Sequence, residues 1–257
     1  MTGGLDRQAI IVTGAASGIG AAIARALAEA GAGGLLLTDR DATGLARVAA
    51  GLSVPVETVT ADLADTAAPA AIAAAARARF GRIDGLVNAA GITTRASFLT
   101  ATPEVWDRLF AVNARAGFFL MQAAIADMQA RRAPGAIVNI LSMNAHCGIA
   151  ELAVYAATKG AMVTLTKNAA HAHMADRIRV NGINLGWVAT EAEHRMQAET
   201  LGRGPDWQAE VAAGLPLGRL LTAEECARLA VFLLSDASVP MSGAVIDLEQ
   251  KVAGAIG

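Results

Sequence analysis

Tyr155 and Lys159 stand four residues apart in Tyr155-Ala-Ala-Thr-Lys159. The alanine-rich surroundings place them early in a helix, and residues four apart share a helix face. A phenol and an ammonium are therefore presented to the same space. A nearby cation favours phenolate over phenol, drawing a reference pKa of about 10 toward the working range. That makes Tyr155 a usable general base for removing an alcohol proton. The plainer alternative is an amphipathic helix whose tyrosine packs and whose lysine is solvated. Against it, this is the only tyrosine in 257 residues. Ser142 ends a predicted strand over 136–141, 13 residues before Tyr155. In a parallel sheet the strand C-termini line the ligand crevice, which is where Ser142 then falls. Asn113 interrupts an apolar run in Val112-Asn113-Ala114.

A second group of residues points to a dinucleotide. Thr13-Gly14-Ala15-Ala16-Ser17-Gly18-Ile19-Gly20 follows the first predicted strand and opens the first predicted helix. Glycines there permit a tight turn and close approach to a pyrophosphate, and the helix N-terminus presents N–H groups and a positive dipole end. A glycine cluster alone is weak in a chain with 26 glycines; its place between strand and helix gives it weight. Asp39 ends the second strand, 19 residues after Gly20. Its carboxylate suits the adenosine ribose hydroxyls and repels a 2′-phosphate, which favours NAD over NADP. A strand-end Asp capping the next helix is the alternative, and the adjacent Arg40 suits adenine stacking or a 2′-phosphate. Asp62-Leu63 after the third strand is placed to meet the adenine edge. Asn88-Ala89-Ala90-Gly91 after the fourth would let a flat ring pass close to the backbone.

The elements that must position these groups alternate along the chain. Strands are predicted over 9–13, 35–38, 56–60, 83–88, 136–141, 179–185 and 245–248. Helices are predicted over 19–30, 42–52, 69–80, 103–131, 153–175 and 222–234. Thr102 is the expected N-cap of the long helix, with Pro103 at its first position; Thr222 and Glu225 form a capping box. Apolar strands alternating with helices specify a parallel sheet covered on both faces. The dinucleotide loop favours a doubly wound, Rossmann-like open sheet over a closed barrel. No Pro/Ser-rich linker or repeat divides the chain, so a single domain over 1–257 is expected, with a mobile substrate lobe or lid over about 190–217. Apolar residues make up 54% and charged residues 17% of the chain, enough for a large core. A net charge of −2 gives no electrostatic footprint for nucleic acid. Cys147 and Cys226 lack metal or disulfide spacing. Residues 1–7 carry no signal-peptide pattern, and the apolar segments are interrupted before a membrane span is complete. A soluble cytoplasmic protein is expected.

Taken together, TGAASGIG at 13–20, Asp39, Asp62-Leu63, NAAG at 88–91, Asn113, Ser142 and YAATK at 155–159 resemble the short-chain dehydrogenase/reductase family across essentially the whole chain. The resemblance implies a Rossmann-like fold of about seven mostly parallel strands, no metal, and a homotetramer. It implies Tyr155 as acid/base, Ser142 hydrogen-bonded to the substrate oxygen, and Lys159 on the nicotinamide ribose, lowering the tyrosine pKa. Asn113 would position a water in a proton relay from Lys159. Gly14, Ser17, Gly18, Ile19, Gly20, Asp39, Arg40, Asp62, Leu63, Asn88, Ala89, Ala90, Gly91, Tyr155, Lys159, Gly186, Val188 and Thr190 are expected to meet the cofactor.

The chain also departs from the family pattern. Leu185 stands where a proline is usual, Leu141-Ser142 offers one hydroxyl where two are common, and Asp247-Leu248-Glu249-Gln250 replaces a glycine pair. Substrate contacts are expected from three loops. They supply Thr93, Thr94 and Arg95; Ser142, Asn144 and His146; and Trp187, Glu191, His194 and Arg195, with Arg203 as a further lobe charge. Their polarity points to a sugar, polyol or similar secondary alcohol, although solvent-facing loops are polar in any case; an arginine entering the site would suit a carboxylate or other anionic substituent on the substrate. An NADPH-dependent ketone reductase, for example of a 3-oxoacyl thioester, keeps the same fold. A catalytically silent dinucleotide-binding regulator belongs to another class. An epimerase or dehydratase would retain its NAD without releasing NADH.

Overall fold

The computed structural model describes residues 5–254, so the N-terminal reading over 1–7 falls partly outside the described residues. In chain order the elements begin with β1 (Ala9–Thr13), α1 (Gly18–Glu29), β2 (Gly34–Asp39), α2 (Ala42–Ala50), β3 (Val56–Thr60), α3 (Ala68–Phe80) and β4 (Gly85–Asn88). There follow α4 (Pro103–Phe110), a π-helical turn at Ala111–Arg115, α5 (Ala116–Ala130), β5 (Gly135–Ile140), α6 (Ala153–His173) and β6 (Ile178–Leu185). The chain continues through β7 (Val188–Ala189), α7 (Glu191–His194), α8 (Trp207–Ala212), β8 (Leu221–Thr222), α9 (Ala223–Leu234) and β9 (Val245–Leu248).

Seven strands form one parallel sheet in the order β3-β2-β1-β4-β5-β6-β9, and β7 pairs with β8 in a separate two-stranded ribbon. Successive side chains on a strand face opposite sides, and the core divides accordingly. Ile10, Val12, Leu35 and Leu37 pack with Ile23, Leu27, Leu45 and Leu233 on one face. Ile11, Leu36, Leu86 and Ile137 pack with Ile72, Leu120 and Met162 on the other. This double coverage explains why β1, β4 and β6 are buried throughout. The edge strand β3, reading Val-Glu-Thr-Val-Thr, is only partly covered. Strand order reverses at β1, which has β2 on one side and β4 on the other. The crevice beyond the C-termini of these strands is where such sheets take ligands.

The expected caps are present. Thr102 accepts from the Val105 N–H with Pro103 following, and Thr222 and Glu225 exchange both bonds of a capping box. The long helix from Pro103 to Ala130 is interrupted by its π-helical turn, centred on Asn113. Contrary to the expectation that every apolar segment is broken early, this helix is long and apolar enough to cross a membrane by length and composition. Most of its apolar face, including Leu120, Met121 and Ala124, is instead buried in the core against the sheet, while Trp106, Phe118 and Phe119 stay exposed. The stretch over 190–217 holds α7, a second π-helical turn at Arg195–Thr200, and α8, with Trp207 fully buried. Cys226 is buried, which pushes its thiol up to about 12, whereas Cys147 is exposed.

Candidate active site

Ser142, Tyr155 and Lys159 line one cavity of about 610 Å³. Its walls come from the chain leaving β4, β5 and β6, so it lies at the C-terminal end of the sheet. Ser142 follows β5 and opens a short 3₁₀ turn. Its buried Oγ accepts from the backbone N–H and the side-chain amide of Asn144, both at 3.2 Å. With both lone pairs taken, the hydroxyl is left as a donor. Tyr155 lies one turn into α6 and is 8% exposed. Lys159 Nζ lies 5.8 Å from the Tyr155 ring centroid and donates to the Ile140 carbonyl at 2.8 Å.

The electrostatics correct one expectation. Burial pushes the Tyr155 phenol above its ordinary value; the Ser142 hydrogen bond works against this, and the Glu193 carboxylate adds to it. Lys159 is itself buried, and desolvation brings its ammonium down to about 8. Desolvation is the largest influence on the phenol and outweighs the Ser142 hydrogen bond.

Asn113 is also placed differently from the simplest picture of a residue aimed at a water. Its Oδ1 accepts from the Ile92 N–H at 2.9 Å, and its Nδ2 donates to the Ile92 carbonyl at 2.9 Å and to Thr158 Oγ1 at 3.2 Å. Thr158 in turn donates to the Tyr155 carbonyl at 2.7 Å. The amide thus clamps the loop after β4 to the helix carrying Tyr155 and Lys159.

The dinucleotide residues form a cradle that fits the group. Gly14 has φ +67°, and a Cβ there would sit 2.9 Å from Ala90 Cα, so the first turn closes onto the loop after β4. Thr13 Oγ1 ties the two loops by accepting from the Ala89 and Ala90 N–H groups, both at 3.0 Å. Helices α2, α4 and α9 are capped by the side chains of Asp41, Thr102 and Thr222. Helix α1 differs: Ser17 makes no side-chain cap, and its first turn holds no acid. Its N-terminal N–H groups are open to an anion such as a pyrophosphate.

Asp39 is not the helix cap, since Asp41 is. Its Oδ2 accepts from the Ala16 N–H at 3.2 Å and its Oδ1 from the Asp41 N–H at 3.1 Å, which fixes the carboxylate beside the cradle. Arg40 is exposed. The Ala64 N–H holds the Asp62 carboxyl below its usual range, helped by the charges of Arg108 and Arg40. Asn88 turns inward, donating to Asn139 Oδ1 at 2.8 Å, so its side chain braces the sheet while Ala89 and Gly91 line the cavity. Ile19, Gly186, Val188 and Thr190 line it too. Gly14, Ser17, Gly18, Gly20, Asp39, Arg40, Asp62, Leu63 and Ala90 do not; most follow the ends of β1, β2 and β3.

The substrate expectations divide. Thr93, Arg95, Asn144, Trp187 and Arg203 line the cavity, whereas Thr94, His146, Glu191, His194 and Arg195 lie outside it. His146 Nε2 instead meets Asp247 at 3.0 Å beside Asn184. Glu191 and Arg195 pair with each other at 2.9 Å, both well exposed. His194 accepts from the Trp207 indole N–H at 3.1 Å. The inward face of this stretch carries Glu193, Met196 and Gln197 instead, and Glu249 approaches from the chain after β9. Thr190 caps α7 by accepting from the Glu193 N–H at 3.2 Å. Had Thr190 been read as an N-cap, the 193/197 spacing would have pointed to this face.

Comparison with known proteins gives the same frame. A family model described as Enoyl-(Acyl carrier protein) reductase matches residues 14–250. An inactive 2-(S)-hydroxypropyl-CoM dehydrogenase 2 of Xanthobacter autotrophicus is 38% identical over 229 residues, covering 88% of this chain and 97% of its own. D-threitol dehydrogenase of Mycolicibacterium smegmatis is 38% identical over 248 residues, 95% of this chain and 92% of its own. Among solved structures, L-sorbose reductase from Gluconobacter frateurii, complexed with NADPH and L-sorbose, superposes with a TM-score of 0.93. It is 29% identical, with 100% of each chain covered.

Proposed function

Because the chain belongs to the short-chain dehydrogenase/reductase family, we propose that it is a dehydrogenase that reversibly oxidises a secondary alcohol of a sugar, polyol or similar hydroxylated molecule, with NAD as cofactor. The observation that carries this reading is the convergence of Ser142, Tyr155 and Lys159 on one cavity that adjoins the Gly14 cradle. A bound nicotinamide supplies the hydride acceptor in oxidation and the donor in reduction. The protein's own groups handle the proton and the geometry. Ser142 donates its hydroxyl hydrogen to the substrate oxygen, and Tyr155 takes the proton of the alcohol or returns it to the carbonyl. Lys159, fixed by Ile140, holds positive charge at the ribose edge of the site. Asn113 sets the spacing between the loop after β4 and α6; its side chain is committed to Ile92 and Thr158, so any part it plays in a proton relay falls to its backbone.

Asp39 supports NAD. Its carboxylate is anchored at the cradle's flank, where a 2′-phosphate would meet a negative charge. The threitol dehydrogenase, a polyol enzyme by name, supports a hydroxylated substrate. The exposed Trp106, Phe118 and Phe119 along the long helix support burial between copies in a homotetramer, measurable by sedimentation. The stretch over 190–217 acts as the substrate lobe of a single domain.

The inactive relative motivates a second reading, a dinucleotide-binding protein without chemistry. One experiment separates the two. Polyols, sugars and hydroxy acids are screened with NAD and NADP, reading reduced cofactor, and the best substrate is repeated with Tyr155→Phe. The expected result is NAD-preferred turnover that falls roughly 10²–10⁴-fold in the variant. Unchanged turnover in Tyr155→Phe would refute the mechanism. Cofactor binding with no turnover across the panel would favour the silent protein, and a preference for NADP would overturn the role given to Asp39.

A further inference from the structure

Glu193 is the one carboxylate of the cavity whose charge reaches the Tyr155 phenol, raising its pKa. Its Oε1 accepts from the Trp187 indole N–H and from the Gln197 amide, both at 2.8 Å. Gln197 is buried, and Trp187 packs against the fully buried Trp207 with ring centroids 5.7 Å apart. The carboxylate is therefore held on rigid supports from one side. No hydrogen bond among the described residues reaches Oε2. A half-buried carboxylate with one oxygen lacking a donor, beside the acid/base group, is set to accept from a ligand.

Glu249 adds a second negative group. Its carboxylate lies directly against Gly186, where any Cβ would collide with it, and its Oε1 accepts from the Gln250 N–H at 2.5 Å. Three cations, Arg95, Lys159 and Arg203, line the same cavity. Arg203 is exposed, donating to Gln197 Oε1 at 3.3 Å and lying 3.6 Å from Glu210; Arg95 is exposed; Lys159 donates to the Ile140 carbonyl and pairs with no carboxylate among the described residues.

We propose that Glu193 is the specificity-determining residue for the substrate: its free oxygen accepts from a hydroxyl of a neutral polyol and, with Glu249, turns away substrates bearing a carboxylate. The inference rests on the dehydrogenase reading above and selects within it. A hydroxyl near the reacting carbinol donates to Oε2 as Ser142 and Tyr155 engage the carbinol oxygen. A carboxylate in the same place would bring two negative charges together in a partly desolvated pocket.

The test compares a hexitol with the aldonate of the same carbon chain, in wild type, Glu193→Gln and Glu249→Gln. Glutamine keeps an acceptor oxygen for Trp187 and Gln197 but turns the free oxygen into an NH2 donor, so it removes both the charge and the acceptor offered to the substrate. Wild type is expected to favour the hexitol in kcat/KM by roughly 100-fold, and Glu193→Gln to narrow that ratio by roughly 10-fold or more. The Glu249 variant is expected to narrow it less. The rising limb of the pH–rate profile for hexitol oxidation should also move to lower pH in Glu193→Gln, because a negative charge facing Tyr155 has gone. Lys159 and Glu249 are unchanged in that comparison. A role confined to holding Trp187 would move neither the ratio nor the limb. Hexitol oxidation with both unchanged in Glu193→Gln overturns the inference alone, as does a wild type that prefers the aldonate. A wild type that oxidises no secondary alcohol overturns the dehydrogenase reading, and this inference with it.

Discussion

Replacing Lys159 with methionine should make the cofactor-free protein more stable at neutral pH while abolishing its proposed chemistry. Burial lowers the Lys159 ammonium from 10.5 to about 8. Keeping it charged in the folded state at pH 7 thus costs about 3 kcal/mol, at about 1.4 kcal/mol per pKa unit. Methionine of similar length removes that cost. It also leaves the Ile140 carbonyl without its donor, a loss of about 1 kcal/mol. The net expectation is a gain of about 2 kcal/mol for Lys159→Met at pH 7. The sign of the pH dependence follows from which state holds the proton. Between pH 8 and 10.5 the folded wild type releases it and the unfolded chain keeps it, so wild-type stability rises with pH in that window. Between pH 7 and 9 the advantage of the variant should shrink by about 1 kcal/mol. The Cys226 thiol, pushed up to about 12, lowers stability above pH 9, but it does so in both proteins and cancels in the difference. Urea unfolding at pH 7, 8 and 9, at one fixed protein concentration, measures this. A variant less stable than wild type at pH 7, with a difference flat across pH, would refute the premise that burial strains this ammonium.

Two further outcomes follow from the site's supports. Asn144→Ala removes one of the two donors to Ser142 Oγ and should lower kcat roughly 5–10-fold with little change in cofactor affinity; steady-state kinetics on the best alcohol would show this. Trp207→Ala empties a fully buried site beneath Trp187 and should destabilise the protein by about 3–5 kcal/mol, read as a lower denaturation midpoint.

The fold was legible because its signals are local and repeated. Apolar runs such as Leu35-Leu36-Leu37 need cover on both faces, and Thr102-Pro103 and Thr222 with Glu225 mark helix starts by chemistry that tertiary context leaves intact. The π-helical turn at Asn113 was not legible, because it answers to the Ile92 loop and Thr158 rather than to its own sequence. That Ser142, Tyr155 and Lys159 share one cavity was legible because strand ends and four-residue helical spacing fix their positions. The substrate wall was not, since polarity alone does not separate Glu193 from Glu191. Only the direction of the short helix after Thr190 turns one inward and leaves the other paired with Arg195 at the surface. Composition also failed to anticipate the tyrosine's environment. A lysine four residues away suggests a lowered phenol pKa, but both groups are buried, and desolvation is the largest influence on each.

The pair of bonds that Asn144 makes to Ser142 has a consequence for stereochemical order. In the proposed oxidation, a hydroxyl whose acceptor positions are filled cannot receive the alcohol's hydrogen, so that hydrogen would go to Tyr155. The substrate oxygen must then enter with its lone pair toward Ser142 and its hydrogen toward the phenol. This orientation fixes the rotation of the C–O bond before any bond to carbon changes. The backbone N–H and the side-chain amide of a single asparagine would thereby choose one rotamer of the bound alcohol, whereas a ketone arriving in the reverse direction would meet two donors, Ser142 and the protonated Tyr155.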